Sequence, residues 1–350
     1  MERKHDIFKF FDAAIERGAS DLLFTAGVPP CVRLNGAIVQ FDLPPLKPDH
    51  TLKLLYSILS QEQIGKFEKD WELDFSVQYQ DRARFRGNAY KQKGAVAMAL
   101  RLIPQVIPKL EELGLPAALA DIAMQPQGLL LVSGPTGHGK STTQAALINL
   151  INHTRRCHII TVEDPVEFYH VSKNSVIDQR DVGDDTHSFA SALKHVLRQD
   201  PDVILVGELR DLESMAVALT AAETGHLVMA TLHTNSAAQA IDRMIDVFPP
   251  YQQSQIRMQL SMSLLAIISQ RLLPRADGKG RIAAVEVLRN LPNISNLIRE
   301  GKTQQIGTVI ETHSKVGMQT LDGAIKDLYK RGVITKEVAL KFMLNPSSLN

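Results

Sequence analysis

The sequence predicts two domains of different class: a smaller N-terminal α+β domain over residues 1–103, and an α/β domain with a mostly parallel sheet over residues 117–350. Three observations carry this expectation. A chain of 350 residues with 44% hydrophobic content is long enough to bury two cores. Its patterning changes at Gly128, where mixed helix and strand signals give way to short apolar runs separated by amphipathic helices. Between the two regimes, "IPQVIPKLEELGLP" carries prolines at 104, 108 and 116, which marks residues 104–116 as the linker.

The elements follow in order. "MERKHDIFKFFDAAIERG" carries charge throughout and spaces Ile7, Phe8, Phe11 and Ile15 at helical intervals, so it reads as an amphipathic helix and not a signal peptide. In "SDLLFTAGVPPCVRLNGAIVQF", Pro29-Pro30 and Asn35-Gly36 punctuate short β-type runs. The stretch "HTLKLLYSILSQEQIGKFEKD" is helical in character, and "LDFSVQYQDRARFRGNAYKQKGAVAMALRLIP" reads as successive antiparallel strands. Beyond Gly128, the runs "GLLLVSG", "HIITVED", "DVILVGE" and "HLVMATLH" are apolar enough for strands buried on both faces. Phe189, Leu193, Val196 and Leu197 share one face of an intervening helix, and Leu212, Met215, Ala216 and Leu219 share one face of another. A helical C-terminal region from about residue 250 completes the domain.

Composition excludes several classes. Lys and Arg total 39 against 38 for Asp and Glu, a formal charge of +1, so no global field draws nucleic acid or anionic lipid. Cys31 and Cys157 are isolated, which argues against a disulfide framework and a structural zinc site and makes the chain read as intracellular. No apolar stretch approaches the roughly 20 residues of a membrane span. Any membrane association is therefore expected to run through a partner.

The chemistry concentrates at the ends of the apolar runs. Gly134, Pro135, Thr136, Gly137, His138, Gly139, Lys140 and Ser141 satisfy GxxxxGK[ST], with a buried strand before and a good helix former run, beginning Thr142, after. Glycines let backbone N–H groups turn toward an anion, and the helix N-terminus adds partial positive charge. Lys140 would reach the β- and γ-phosphates of ATP, and the Ser141 hydroxyl would ligate Mg²⁺. No role is assigned to His138. Two neighbouring runs end in acids: Glu163, Asp164 and Glu167 after one, Glu208 and Asp211 after the other. A carboxylate past a strand can hold Mg²⁺ through water, and another can deprotonate the attacking water. A third run carries His226 before it and His233 after it, and an imidazole at that edge can contact a γ-phosphate. Arginines alternating at 82, 84 and 86 share one face of an N-terminal strand.

These segments together resemble the secretion ATPase superfamily that drives type II secretion and type IV pili. The likeness rests on GPTGHGKST at 134–142, "TVEDPVEF" at 161–168, "DPDVILVGELRD" at 200–211 and "TGHLVMATLHTNSA" at 224–237. Within it, the chain most resembles the twitching-motility retraction ATPases of the PilT and PilU type, from "GASDLLFTAGVPP" through "IDRMIDVFPP" and "SLLAIISQRLLP" to "GMQTLDGAIKDLYKRGVIT". The resemblance implies a RecA-like P-loop NTPase domain behind a PAS-like N-terminal domain. It also implies Glu167 as the catalytic glutamate, with Glu163 as the second candidate, and Glu208 as the Walker B residue at Mg²⁺. Arginines from the N-terminal domain, among Arg82, Arg84, Arg86 and Arg101, would complete the nucleotide site, and guanidinium charge there is worth about 10³ to 10⁵ in rate. Implied partners are five further copies in a homo-hexamer, an inner-membrane pilus platform protein and a paralogous retraction ATPase. The implied location is the cytoplasmic face of the inner membrane.

Extension and secretion members carry a tetracysteine zinc motif, which this chain lacks, and that favours the retraction side. Main retraction motors carry AIRNLIRE, whereas residues 293–300 read "NISNLIRE", so a main and an accessory motor both stay open, with a type II secretion or pilus assembly ATPase behind them. The competing class is a RecA-like nucleic-acid motor. The near-zero charge and 5% aromatic content stand against it, and stimulation of turnover by single-stranded DNA separates the two.

Overall fold

The computed structural model describes residues 6–34, 36–80, 82–103 and 106–349. Asn35 of the expected Asn35-Gly36 turn, and Pro104 and Gln105 of the expected linker, lie outside the described residues. The chain divides into two compact units, Met1–Val106 and Ile107–Asn350. Residues 107–116 are not a bare connection, because Leu110 and Leu115 are buried in the core of the second unit.

The first unit is an antiparallel sheet with helices. Its strands are β1 (Asp21–Phe24), β2 (Cys31–Leu34), β3 (Ala37–Gln40), β4 (Glu72–Tyr79), β5 (Ala83–Gln92) and β6 (Ala95–Ile103), in the order β3-β2-β1-β6-β5-β4. Alternation along β4 and β5 sends Leu73, Phe75, Val77, Phe85 and Ala89 into the core, and Asp74, Gln78, Arg86 and Asn88 outward. The opening helix, Ile7–Arg17, buries Ile7, Phe10, Phe11 and Ala14. Phe8, expected inside, is exposed and stacks on Tyr79, because the buried arc runs through Phe10 and Ala14 instead. The single helical stretch expected after residue 50 is two helices, Pro48–Tyr56 and Gln61–Asp70. The first ends at the C-cap Ser57, and Ser60 starts the second: its hydroxyl accepts from the Gln63 N–H while the Gln63 side chain accepts from the Ser60 N–H.

The second unit carries β7 (Gly128–Ser133), β8 (His158–Glu163), β9 (Val176–Asp181), β10 (Val203–Val206), β11 (Leu227–Leu232), β12 (Leu264–Pro274) and β13 (Arg281–Arg289). Their order is β13-β12-β7-β11-β10-β8-β9, all parallel except the β12–β13 pair. Every residue of β7 is buried, with Leu129 and Leu131 in one hydrophobic cluster and Leu130 and Val132 in another. The sheet is thus covered on both faces, and each fully buried leucine contributes about 1.5–3 kcal/mol. The expectation of a helical region from residue 250 is corrected here. After the helix Pro250–Ser263, β12 and β13 extend the sheet, and helices resume only at Pro292. The run "LLAIISQRLLP" has too few polar residues for its period to separate a buried strand from a buried helix. No helix among the described residues is long and apolar enough to cross a membrane.

Candidate functional site

Parallel strands all present their carboxyl ends at one edge of a sheet, so the loops after β7, β11, β10 and β8 gather there in that order. The loop 134–139 follows β7, His233 follows β11, Glu208 follows β10, and Glu163 ends β8. With about 4.8 Å between neighbouring strands, this row spans about 14 Å, the scale of a nucleotide triphosphate and its metal.

The loop after β7 is bound tightly to β12. Gly134 has φ 143°, and a Cβ there would lie 2.3 Å from the Gln270 carbonyl oxygen, so only glycine fits. The Gln270 side chain, 3% exposed, accepts from the Thr143 hydroxyl at 2.7 Å and donates to the His138 carbonyl at 2.9 Å. His138 turns out to be a staple: its Nδ1 accepts the Leu272 N–H at 2.9 Å. Burial, then the charges of Arg281, Arg271 and Lys140, hold its pKa below the ordinary value, which keeps Nδ1 an acceptor at neutral pH. Arg281 donates to the Gly137 carbonyl at 3.1 Å. These bonds hold the His138 and Gly137 carbonyls and fix the loop against its neighbouring strands.

The helix Lys140–Thr154 begins directly after Gly139 with no side-chain cap, so its first N–H groups are left for an anion. Lys140, 8% exposed, folds back over the loop and donates to the Gly134 and Pro135 carbonyls at 2.9 and 3.2 Å. Burial lowers its pKa, while the carboxylates of Glu208 and Glu167 act in the opposite direction. Ser141 and Thr142 are half-buried beside it, and the Ser141 hydroxyl has no side-chain partner among the described residues.

Acid and imidazole line up along the strand order. His233 Nδ1 lies 3.3 Å from the Thr136 hydroxyl, and its Nε2 lies 3.2 Å from Glu208. Arg210 takes the other Glu208 oxygen at 2.7 Å. Burial works against the Glu208 charge, but the hydrogen bonds and charges of Arg210 and His233 leave its pKa below the ordinary value. One strand further, Glu163 accepts from the Thr161 hydroxyl at 2.8 Å, and burial pushes its pKa up to about 7. Glu167 is exposed on the loop beyond β8.

That loop is shaped from β9, which the residue pattern did not reveal. Asp181, buried at the end of β9, accepts from the Val166 N–H and the Tyr169 hydroxyl. Gln179 accepts from the His170 N–H at 2.7 Å and donates to the Phe168 carbonyl at 2.8 Å. Asp181, Gln179, Gln270 and Arg281 are thus positioning residues that sequence reasoning missed. The available signal for Gln270 was a lone amide inside an apolar run.

His226 is not part of this group. It precedes β11 at the opposite edge of the sheet, where its carbonyl accepts the Gly128 N–H at 2.9 Å and its ring lies 2.9 Å from the Ala221 carbonyl. A six-residue strand separates it from His233, about 20 Å. The expectation that His226 serves the site is therefore corrected: it closes a helix end.

In the first unit, Arg86 on β5 faces Arg101 on β6, which faces Asp21 on β1, which faces Arg33 on β2. Arg101 donates to Asp21 at 3.0 Å, and Arg84 donates to the Ser76 hydroxyl at 2.7 Å. Arg82 pairs with Asp12. Arg86 is exposed and has no side-chain partner among the described residues.

A family model described as type II/IV secretion system protein matches residues 9–293. The chain is 46% identical over 334 residues to the type IV pilus retraction ATPase PilT of Pseudomonas aeruginosa, covering 95% of this chain and 97% of that protein. It is 43% identical over 332 residues to the type IV pilus ATPase PilU of the same organism, covering 95% and 87%. Among solved structures, the pilus retraction motor PilT with bound ADP matches with a TM-score of 0.92 at 48% identity, over 98% of each chain.

Proposed function

The chain belongs to the type II/IV secretion system protein family and is an ATPase, and from that premise we propose that it hydrolyses Mg-ATP to power retraction of a type IV pilus. The observation that carries the reading is the row Thr136–His233–Glu208–Arg210 beside a complete phosphate loop.

In this reading, the N–H groups of residues 136–140 cradle the phosphates, and Lys140 exchanges its two carbonyl partners for the β- and γ-phosphate oxygens. Glu167 orients and deprotonates the attacking water; an exposed carboxylate on a pinned loop suits that task. Glu163 is held at the end of β8 as the second candidate. His233 reports the γ-phosphate to Glu208, since one imidazole touches both the loop and the acid. The resemblance assigns Arg84, Arg86 and Arg101 the supply of charge to the γ-phosphate, and Arg86 has no side-chain partner among the described residues.

Mg²⁺ fits the donor set. Ser141 and Glu208 offer hard oxygens, and no group of three or more His, Cys, Asp or Glu among the described residues could hold a metal alone. Phosphate and water oxygens would supply the remaining ligands, and the bound ion would neutralise phosphate charge. The proposed assembly is a homo-hexamer acting at the inner face of the inner membrane through a platform protein. The proposed domains are 1–103 and 117–350, with the segment 104–116 between them, of which Leu110 and Leu115 pack into the second.

A second reading, an accessory retraction ATPase working beside a paralogous main motor, is favoured by one feature. Where main motors carry AIRNLIRE, Ser295 here bonds the Ser261 carbonyl at 2.9 Å and Asn290 at 3.0 Å, tying this helix to the helix Pro250–Ser263. The test of the main reading images labelled pili in cells carrying Glu167→Gln or Lys140→Ala. Retraction is expected to stop in both, and ATP binding to survive only in Glu167→Gln. Normal retraction with no paralogue present overturns the motor assignment, and wild-type turnover in the purified variants overturns the site.

A further inference from the structure

A buried carboxylate that no step above uses is tied to the His233 loop. Glu286 sits in β13, 8% exposed, in the run Ala284–Leu288 whose every residue is buried. One of its oxygens accepts the Ala237 N–H at 2.7 Å. Ala237 opens the helix Ala237–Asp246, which follows the His233 loop directly. The backbone N–H of Leu321, which opens the helix Leu321–Lys330, also favours the charged carboxylate. Two helix N-termini thus direct partial positive charge at one buried acid. Burial raises its pKa, the Ala237 and Leu321 N–H groups oppose that, and the Asp322 carboxylate adds to it.

The far side of this anchor is also fixed. Val287 and Gln319 exchange backbone hydrogen bonds at 2.9 and 3.2 Å, and the Gln319 side chain donates to the Val285 carbonyl at 2.8 Å. Glu286 therefore cannot follow Ala237 if the helix drifts. On the near side, only Thr234, Asn235 and Ser236 separate Ala237 from His233. Asn235 N–H bonds the Gln239 side chain at 3.0 Å and Ser236 caps the Gln239 N–H at 3.3 Å, so that short segment is held at each residue but Thr234. The imidazole at its end must meet Thr136 and Glu208 at once, at 3.3 and 3.2 Å. A displacement of about 1 Å, carried to the imidazole, would stretch both contacts beyond hydrogen-bond length.

From this geometry we infer that Glu286 is a positioning residue for ATP turnover, holding His233 in register with the phosphate loop through the Ala237 N–H. The inference rests on the proposed role of His233 and deepens it. Unlike the charged groups at the nucleotide, Glu286 touches neither substrate nor reacting atoms. Its carboxylate acts by fixing where a helix begins.

The experiment is a double-mutant cycle on the full chain, measuring kcat and KM for ATP and the melting temperature. It uses His233→Ala, Glu286→Ala and Glu286→Gln, the last as a volume-preserving variant if the alanine form does not fold, each also combined with His233→Ala. Glu286→Ala is expected to lower kcat by roughly 10- to 100-fold with KM within about 2-fold, as for misplacement of a catalytic group by about 1 Å. Glu286→Gln, whose amide oxygen still accepts the Ala237 N–H, is expected to lose less. Neither change should slow the His233→Ala protein further. Multiplying losses in the double variants, or a lower melting temperature with unchanged kcat, overturn the inference while leaving the role of His233 intact. An unchanged kcat in His233→Ala overturns that role itself, and the inference with it.

Discussion

Gln270→Leu isolates the coupling between the phosphate loop and its neighbouring strand, because leucine matches glutamine in bulk and removes only the amide. Two hydrogen bonds disappear, from the Thr143 hydroxyl at 2.7 Å and to the His138 carbonyl at 2.9 Å. Thr143 is fully buried, so its orphaned hydroxyl costs about 1–3 kcal/mol, and the partly exposed carbonyl adds about 1 kcal/mol. The sum, about 2–4 kcal/mol, lowers the melting temperature by roughly 4–16 °C for a unit of this size. Part of the loss falls on the nucleotide, because the loop must recover its order on binding, and each 1.4 kcal/mol is about tenfold in Kd. Calorimetric melting of the full chain, paired with titration of a fluorescent ADP analogue, reads both effects. Adding Thr143→Val removes the orphaned hydroxyl and should restore at least half of the lost stability. A Gln270→Leu protein that melts and binds as the parent does would refute the claim that β12 holds the loop.

Two further outcomes follow from the acids. Glu163 has a folded pKa of about 7 against an ordinary 4.5, so the folded state keeps a proton that the unfolded state releases between those values. Its contribution therefore declines as pH rises through that window, by up to roughly 3 kcal/mol, with the nearby Glu167 charge reinforcing burial. Urea midpoints from pH 4.5 to 8 should slope downward in the parent and less so in Glu163→Gln; parallel slopes would remove Glu163 as the cause. Asp181→Ala releases the loop that carries Glu167, and kcat should fall by roughly 10- to 100-fold with KM for ATP nearly unchanged. A change confined to KM would mean that Asp181 shapes binding instead.

Residue order by itself determined the parts of this protein whose chemistry is local. A phosphate loop declares itself because glycine, lysine and serine must sit at fixed offsets between a strand and a helix, and acids after apolar runs mark strand ends. Long resemblance to known motors supplied the roles proposed for Glu167 and Glu208. Periodicity failed where polarity was too sparse to show a period, at β12, and where a helical stretch ended at Ser57 and restarted at the Ser60 cap.

What only the tertiary structure decided was adjacency. The order β12-β7-β11-β10-β8-β9 sets His233 between the phosphate loop and Glu208, and leaves His226 at the far edge. Strand order is chosen by which faces bury best against one another across the whole chain, and no local window contains that comparison. The same holds for Gln270, Asp181 and Glu286. Gln270 meets Thr143 across 127 residues, and Glu286 meets Ala237 across 49. A buried polar side chain takes its meaning from its hydrogen-bond partner, and folding alone brings that partner within reach.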